Sequence, residues 1–287
     1  METKLAVPIA ANNPDQAKRQ IKSARAAGAD IIELRVDYIK GLTTELVESM
    51  VAETKSAGEK PLPVIVTCRD RQQGGIIDYP LPFRVEILIV ALKAGAEFVD
   101  FEYDNFHSTE SRERLQRALS QSSKARLILS AHNFETKFDN IGKLFHEISN
   151  TSPEAIPKLV YTADHINDCF EAFDLLNQTS GERIVFCMGE AGLISRILAK
   201  KLGSFLTFAS IDEQKATAPG QLTIEQFREL YRCDDINAET ELFGVIADPV
   251  GHSLSPAIHN ACFAEKGMNK LYLSLLVKGG SLEFDNF

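Results

Sequence analysis

Residues 63–104 contain the unit that decides the fold: PVIVTCR (63–69) and EFVDFEYD (97–104) are short apolar runs, and PFRVEILIVALKAG (82–95) lies between them. Runs that are apolar almost throughout are typical of parallel strands covered on both faces, and the middle stretch is typical of a crossover helix. Gly95 stands where that helix would end, which is a common position for glycine. The three segments predict one strand–helix–strand unit.

The same unit recurs along the chain. Eight runs are predicted as strands, at 4–10, 30–37, 63–69, 97–104, 125–133, 157–164, 182–189 and 204–210. Predicted helices include 14–28, 43–58, 82–95 and 192–203, with Gly28, Gly58, Gly95 and Gly203 at their ends. Eight alternating units predict an α/β fold of the (β/α)8 (TIM) barrel type, with an open doubly wound sheet as the alternative. Both folds place functional side chains at the carboxyl ends of the strands.

The composition is globular and acidic. The 287 residues include 44% hydrophobic residues, and 31 Lys+Arg against 40 Asp+Glu give a formal net charge of −9. This balance argues against nucleic-acid binding, because such proteins carry a basic surface. No apolar run reaches the ~20 residues that span a bilayer, and METKLAVPIAANNP (1–14) lacks the features of a secretory signal. The five cysteines are odd in number and scattered, which favours buried thiols over disulfides or a metal site. We expect a cytoplasmic protein without a membrane or nucleic-acid partner.

Charged residues gather at the predicted strand ends. They are Glu33, Arg35, Asp37, Arg69, Glu102, Asp104 and His132. Alternation would put Glu33, Arg35 and Asp37 on one side of their strand. The group fits either a binding site or a structural layer of ion pairs at the barrel mouth, and the residues alone do not separate these interpretations.

Lys158 stands near the start of the sixth run, PKLVYTAD (157–164). Lysine is costly to bury unless it is paired or neutralised, and a free amine can attack a carbonyl to form a Schiff base. The alternative is a lysine at an exposed strand end whose ammonium group reaches water. Further along, Arg196 could bind a carboxylate, and Thr217 and Gln221 flank a Pro-Gly turn where Gln221 could bind hydroxyls.

Blocks in this order and spacing resemble type I 3-dehydroquinate dehydratases over residues 1–232. They are ELRVD (33–37), T-x-R followed by GG (67–75), SAHNF (130–134), PKLVYTA (157–163), MGEAGLISR (188–196), GSFLTFAS (203–210) and TAPGQ (217–221). The resemblance implies a (β/α)8 lyase of the shikimate pathway that converts 3-dehydroquinate to 3-dehydroshikimate without a metal or cofactor. It implies that Lys158 forms a Schiff base and that His132 is general base and then general acid. It also implies substrate binding by Glu33, Arg35, Arg69, Arg196, Thr217 and Gln221. A class I Schiff-base aldolase and an inactive remnant that serves as a binding module are the alternatives.

Two positions depart from the family pattern. Gln73 stands where the family commonly has an acidic residue before GG, and Thr217 replaces the usual serine. Threonine keeps a hydroxyl group. Gln73 removes a charge that in the family helps to position or tune the catalytic histidine, so we expect lower turnover or a shifted pH optimum.

A different pattern begins after residue 232. CDDINAETE (233–241) is typical of a polar linker, and FGVIADPVGHSLSPAIHNACF (243–263), followed by a predicted strand at 270–277, resembles the opening of shikimate dehydrogenase. This second resemblance implies that Ser253 and Ser255 bind shikimate hydroxyls, and a helix N-cap role there is compatible with binding.

The predicted domains are a barrel (1–232), a linker (233–241) and a partial α/β substrate-binding domain of the shikimate dehydrogenase type (242–287). The 287 residues contain no GxGxxG dinucleotide motif, so we expect no NADP-dependent activity from them. The expected partners are the small substrate and a second copy of the chain in a homodimer.

Overall fold

The structure is a computed structural model that describes residues 2–56, 61–122, 124–212, 220–278, 284–285 and 287. By their contacts the residues divide into two compact units. The first consists of Leu5–His132 and Lys143–Leu159, and the second of Met1–Lys4, Asn133–Gly142 and Val160–Phe287. This division does not follow the predicted domain boundaries, which stay a prediction.

The first unit contains most of strands β1 to β5 and helices α1 to α6. The strands are β1 (Lys4–Ile9), β2 (Ile31–Arg35), β3 (Val64–Thr67), β4 (Phe98–Glu102) and β5 (Arg126–Asn133). The helices are α1 (Pro14–Ala26), α2 (Thr44–Ser56), α3 (Leu81–Lys93), α4 (Tyr103–Phe106), α5 (Thr109–Ser120) and α6 (Ile141–Thr151). Neighbouring strands pair in parallel from β1 through β5. Every residue of β2, β3 and β4 is buried, as the apolar runs predict.

The helix ends follow local sequence signals. The Asn13 side chain accepts a hydrogen bond from the Gln16 N–H at the start of α1, and Ser108 caps α5 in the same way. Gly28 and Gly95 follow α1 and α3 with φ values of +90° and +92°, a backbone conformation that glycine adopts without steric cost. Both predicted glycine stops are confirmed, whereas Gly58 lies outside the described residues.

The second unit contains the later elements. They are the end of β6 (Ile156–Thr162), whose first four residues belong to the first unit, and α7 (Asp168–Gln178), β7 (Ile184–Met188), α8 (Leu193–Ile197), β8 (Leu206–Phe208), β9 (Glu241–Ala247), α9 (Ser255–Glu265) and β10 (Lys270–Leu276). Strands β9 and β10 form a separate parallel pair, which includes the predicted strand at 270–277. A short π-helical segment, Gln226–Leu230, precedes them.

The large sheet has eight strands in the order β7-β6-β5-β4-β3-β2-β1-β8. The strand order follows the chain order, and the last strand pairs beside the first. This is the topology of a (β/α)8 barrel, whereas the order of an open doubly wound sheet reverses at a switch point. The predicted barrel is therefore confirmed.

The predicted helix at 192–203 is shorter than expected. Helix α8 ends at Ile197, and turns follow to Gly203. The Ser195 hydroxyl donates to the Gly192 carbonyl and accepts from the Cys187 N–H, so this side chain anchors the first turn of the helix to β7. Among the described residues, no helix is long and apolar enough to cross a membrane.

Candidate active site

The first unit encloses a buried ion-pair cluster around Asp100. Lys158 Nζ donates to Asp100 Oδ2 at 2.7 Å, and Arg69 Nη2 lies 2.8 Å from Asp100 Oδ1. Lys158 is 4% exposed, Arg69 3% and Asp100 1%. The alternative of a lysine that reaches water from a strand end is therefore wrong.

Asp100 is a site residue that sequence reasoning missed. It lies in the middle of β4, two residues before Glu102, so alternation puts both carboxylates on the same face of the strand. The signal was present in EFVDFEYD (97–104), because a carboxylate inside an otherwise apolar strand needs a buried partner. That its partner is Lys158, 58 positions away in sequence, is set by the fold.

Opposing effects act on the Asp100 carboxyl group. Burial acts to raise the pKa of Asp100, but the charges of Arg69 and Lys158 outweigh it and hold that pKa below its usual range. Asp100 is therefore ionised at neutral pH. A carboxylate held beside an amine can stabilise a positive charge on that nitrogen or on an iminium formed from it.

His132 lies at the end of β5 in the same unit. Its backbone N–H donates to Gln73 Oε1 at 3.0 Å, and its ring Nδ1 lies 3.2 Å from the same oxygen. Desolvation lowers the pKa of His132 well below 6.5, and the charges of Arg69 and Lys158 lower it further, although Asp100 opposes them. The imidazole is therefore neutral at neutral pH and can accept a proton.

Side chains on three elements fix the position of Arg69. Its Nη1 donates to Glu102 Oε1 at 2.9 Å and to Ser130 Oγ at 2.8 Å. Arg84 on α3 donates through Nη1 to Glu102 Oε2 at 2.9 Å and through Nη2 to Asp70 Oδ2 at 2.6 Å. Because two arginines share the Glu102 carboxylate, the guanidinium of Arg69 is held in one orientation.

Glu33 and Arg35 are buried at the end of β2 in the first unit. Glu33 Oε1 accepts from Thr67 Oγ1 at 2.8 Å. Arg35 forms a bidentate pair with Asp37, both contacts at 2.8 Å. Asp37 lies in a helical turn (Val36–Tyr38), so the predicted strand alternation does not extend to it.

Arg196 lies in α8 of the second unit and is 1% exposed. Its guanidinium stands over the Phe186 ring at 4.5 Å, and its buried Nε and Nη2 have no hydrogen-bond partner among the residues that the structure describes. Burial lowers the pKa of Arg196 to about 10. Buried guanidinium nitrogens without a hydrogen-bond partner are costly, and an anionic ligand would remove that cost.

The other predicted binding residues belong to the second unit or lie outside the described residues. Gln221 follows Gly220, where an added Cβ would lie 2.4 Å from the Gly189 carbonyl oxygen, so only glycine fits this turn. Thr217 lies outside the described residues. Ser253 Oγ accepts from the Ser255 N–H at 3.3 Å at the start of α9, but the N-cap residue of this helix is Leu254, so neither serine has the expected N-cap role.

The cysteines and acidic residues show no metal-binding arrangement in the part of the chain that is described. Cys68, Cys169 and Cys187 are buried, as the sequence predicted for most of the thiols. No group of three or more His, Cys, Asp or Glu side chains among the described residues could hold a metal ion.

Fold and site together define a class of protein: a (β/α)8 barrel with a buried lysine amine and a neutral histidine. Residues 5–238 match the family described as Type I 3-dehydroquinase, so the chain belongs to the type I 3-dehydroquinase family. Residues 245–285 match the shikimate dehydrogenase substrate binding domain. Both sequence resemblances are confirmed.

Similar proteins extend this assignment. The chain is 31% identical over 279 residues to the chloroplastic bifunctional 3-dehydroquinate dehydratase/shikimate dehydrogenase of Arabidopsis thaliana, covering 95% of this chain and 44% of that protein. It is 32% identical over 215 residues to the 3-dehydroquinate dehydratase of Desulfotalea psychrophila, covering 73% of this chain and 89% of that one. The solved structure of the 3-dehydroquinate dehydratase from Aquifex aeolicus superposes with a TM-score of 0.65 at 29% identity, covering 80% of this chain and 100% of that chain. The chain spans less than half the length of the bifunctional relative.

Proposed function

We propose that this chain dehydrates 3-dehydroquinate to 3-dehydroshikimate through a Schiff base on Lys158, as a lyase of the shikimate pathway. The observation that carries the proposal is the buried Lys158–Asp100–Arg69 cluster. Its charges act on the neutral His132, which lies in the same unit. Family membership favours this reaction over the aldolase alternative.

The first step joins enzyme and substrate. The Lys158 amine, after losing a proton, attacks the substrate ketone to give a carbinolamine. The proton returns to the carbinolamine hydroxyl group, which leaves as one water, and an iminium remains. The iminium carries a positive charge, and the Asp100 carboxylate already lies 2.7 Å from the lysine nitrogen. Asp100 therefore stabilises this intermediate without reorganisation.

His132 moves the proton in the second step. Its neutral ring takes a proton from the carbon next to the iminium carbon, and the electron pair moves into the iminium to form an enamine. The enamine expels the hydroxyl group, which leaves as water with the proton from His132. Hydrolysis of the remaining iminium consumes one water, releases 3-dehydroshikimate and restores the Lys158 amine.

The substrate-binding roles follow the charge of each side chain. Arg196 is proposed to bind the substrate carboxylate, which is supported by its two buried nitrogens without a described partner. Glu33, Arg35 and Arg69 are proposed to hold the ring hydroxyls together with Thr217 and Gln221. For Thr217 the proposal rests on the family resemblance alone.

The cofactor use, location and assembly of the protein, and the role of its second domain, are also proposed. The reaction as written uses no metal or cofactor, and the protein is proposed to act in the cytoplasm as a homodimer. Ser253 and Ser255 are proposed to bind shikimate hydroxyls within the partial second domain (242–287). No NADP-dependent activity is proposed for these 287 residues.

The experiment that tests the proposal is a direct assay. Purified protein is mixed with 3-dehydroquinate, and the enone absorbance of the product is followed for wild type, Lys158→Met and His132→Gln. Wild type is expected to turn over, and each variant to lose at least ~100-fold in kcat. Lys137→Met is the matched control, because Lys137 pairs with Glu171 on the surface and is expected to leave the rate unchanged. A wild-type protein that forms no product would contradict the proposed function.

A further inference from the structure

Gln73 connects His132 to a carboxylate outside the cluster around Asp100. While its Oε1 faces the backbone N–H and the ring Nδ1 of His132, its Nε2 donates to Asp104 Oδ2 at 2.9 Å. Gln73 is 7% exposed, and Asp104 lies in the first turn of α4 at the surface. Hydrogen bonds thus connect the exposed Asp104 through Gln73 to the His132 ring.

Chemistry at the two ends fixes the orientation of the Gln73 amide. A backbone N–H only donates, so the atom that faces the His132 N–H must be the amide oxygen. An ionised carboxylate only accepts, so the atom that faces Asp104 must be the amide nitrogen. Exchanging the amide oxygen and nitrogen would break both contacts. Each contact therefore fixes the orientation of the Gln73 amide independently.

The amide orientation in turn determines the histidine tautomer. An amide oxygen accepts hydrogen bonds, so Nδ1 must carry a proton to bond to Gln73 Oε1 at 3.2 Å. A neutral ring that is protonated at Nδ1 leaves the lone pair on Nε2. Nε2 is therefore the basic nitrogen.

We propose that Asp104 is a positioning residue: it holds the Gln73 amide so that His132 keeps its proton on Nδ1 and presents Nε2 as the base. This inference rests on the proposed role of His132 and adds a residue to it. It also explains how the chain works with glutamine at position 73. In this chain the carboxylate is that of Asp104, which contacts Gln73 and not the ring. The Gln73 amide orients the ring and carries no charge.

The surrounding charges show why a neutral contact suits this ring. The charges of Arg69, Lys158 and Arg35 disfavour protonation of His132, and the charge of Asp100 favours it. A carboxylate in contact with Nδ1 would stabilise the imidazolium form. The Gln73 amide leaves the ring neutral, and Asp104 acts on the ring only by orienting this amide.

The test compares two substitutions of Asp104. Asp104→Ala removes the acceptor for Gln73 Nε2, whereas Asp104→Asn keeps an acceptor oxygen without the charge. We expect Asp104→Ala to lower kcat about 10- to 100-fold with little change in KM, because the base is misoriented and substrate binding is not. We expect Asp104→Asn to recover most of that loss. Glu113→Ala, at an exposed acidic position on α5, is the matched control and is expected to match wild type.

A second readout does not depend on turnover. In protein labelled with ¹⁵N-histidine, the His132 signals are assigned by their loss in His132→Gln, and their shifts report which ring nitrogen carries the proton. We expect protonated Nδ1 in wild type and Asp104→Asn, and a mixture of tautomers in Asp104→Ala. An Asp104→Ala variant with wild-type kcat, or with an unchanged tautomer, would overturn the proposal. If wild type lacks dehydratase activity, the proposed function fails, and the tautomer measurement still decides the role of Asp104.

A substitution at Gln73 tests the same contact from the other side. In Gln73→Glu a carboxylate oxygen would take the place of Gln73 Nε2, which now lies 2.9 Å from Asp104 Oδ2. Two carboxylates at that distance cannot both ionise without repulsion. We expect Gln73→Glu to lose activity that Gln73→Glu/Asp104→Asn regains. Equal activity of the single and double variants would contradict the pairing.

Discussion

Asp100 is the residue on which the charge balance of the site depends. It is buried between two cations, Arg69 and Lys158, so its removal leaves both in a poorly solvated place. Breaking a buried pair by removing one partner costs about 3–5 kcal/mol. The same carboxylate is expected to stabilise the iminium, and stability and catalysis are therefore coupled at this position.

Asp100→Asn is expected to lower the free energy of unfolding at pH 7 by about 3–5 kcal/mol. The pKa of Asp100 is lower in the folded state, so its stabilisation is present above the unfolded pKa of about 3.9 and is lost as the pH falls through the folded pKa. The difference between wild type and variant should therefore shrink in urea unfolding at pH 3. Asp174→Asn, at an exposed position on α7, is the control and should show no such difference. A pH-independent gap would contradict the account.

The lowered pKa of His132 predicts where activity falls on the acidic side of the pH–rate profile. Its pKa in the free protein is well below 6.5, because desolvation and the nearby cations disfavour the imidazolium form. We expect kcat/KM, which reports ionisations of the free enzyme, to stay near its plateau through pH 6 and to fall only at lower pH. In Gln73→Glu/Asp104→Asn the fall should move to higher pH, because a carboxylate then contacts the ring. An acidic limb centred at 6.5 or above in wild type would contradict this interpretation.

Arg196 illustrates a conflict between stability and binding. Its buried Nε and Nη2 have no described partner, so Arg196→Met should keep or raise the Tm of the unliganded protein while raising KM by at least tenfold. Arg196→Lys keeps a charge but loses the planar fork that binds a carboxylate through two bonds, so a smaller rise in KM is expected. Thermal unfolding with and without substrate, together with steady-state kinetics, measures both effects. A large drop in Tm with an unchanged KM would assign Arg196 a structural role instead.

At the scale of elements, the turn after β3 places Gln73 against His132. Gly75 in this turn packs closely against the backbone of Arg69, because an added Cβ would lie 2.2 Å from the Arg69 carbonyl oxygen. The turn carries Arg69 at its start and Gln73 inside it, so a shift of its backbone would disturb both the ion-pair cluster and the histidine contact. Gly75 is required by this packing.

Gly75→Ala is therefore expected to lose at least ~2 kcal/mol of stability and most of the activity. Gly142→Ala is the matched control within α6, where the nearest atom to an added Cβ is Asn140 Oδ1 at 3.6 Å. That change should raise stability by about 0.5–1 kcal/mol, because alanine loses less entropy in a helix than glycine does. Urea unfolding and kcat measure both. A Gly75→Ala protein that is as stable and active as wild type would contradict the close approach.

At the scale of the whole molecule, the sequence allowed the barrel to be predicted because its signals are local. Apolar runs such as 63–69 and 97–104 identify parallel strands, and Gly95 marks a helix end. The residues alone mark Lys158 and His132 as candidates, their catalytic roles come from the family resemblance, and these roles stay a prediction. Asp100 and Asp104 were not assigned roles, because their partners lie 58 and 31 positions away and the pairing is set by tertiary packing.

The central claim is that Lys158 is the nucleophile, and trapping tests it most directly. The protein is incubated with 3-dehydroquinate and sodium borohydride, digested, and its peptides are measured by mass spectrometry. The account predicts one reduced, substrate-derived adduct, located on Lys158 and absent from Lys158→Met. An adduct on another residue, or turnover without any adduct on Lys158, would contradict it.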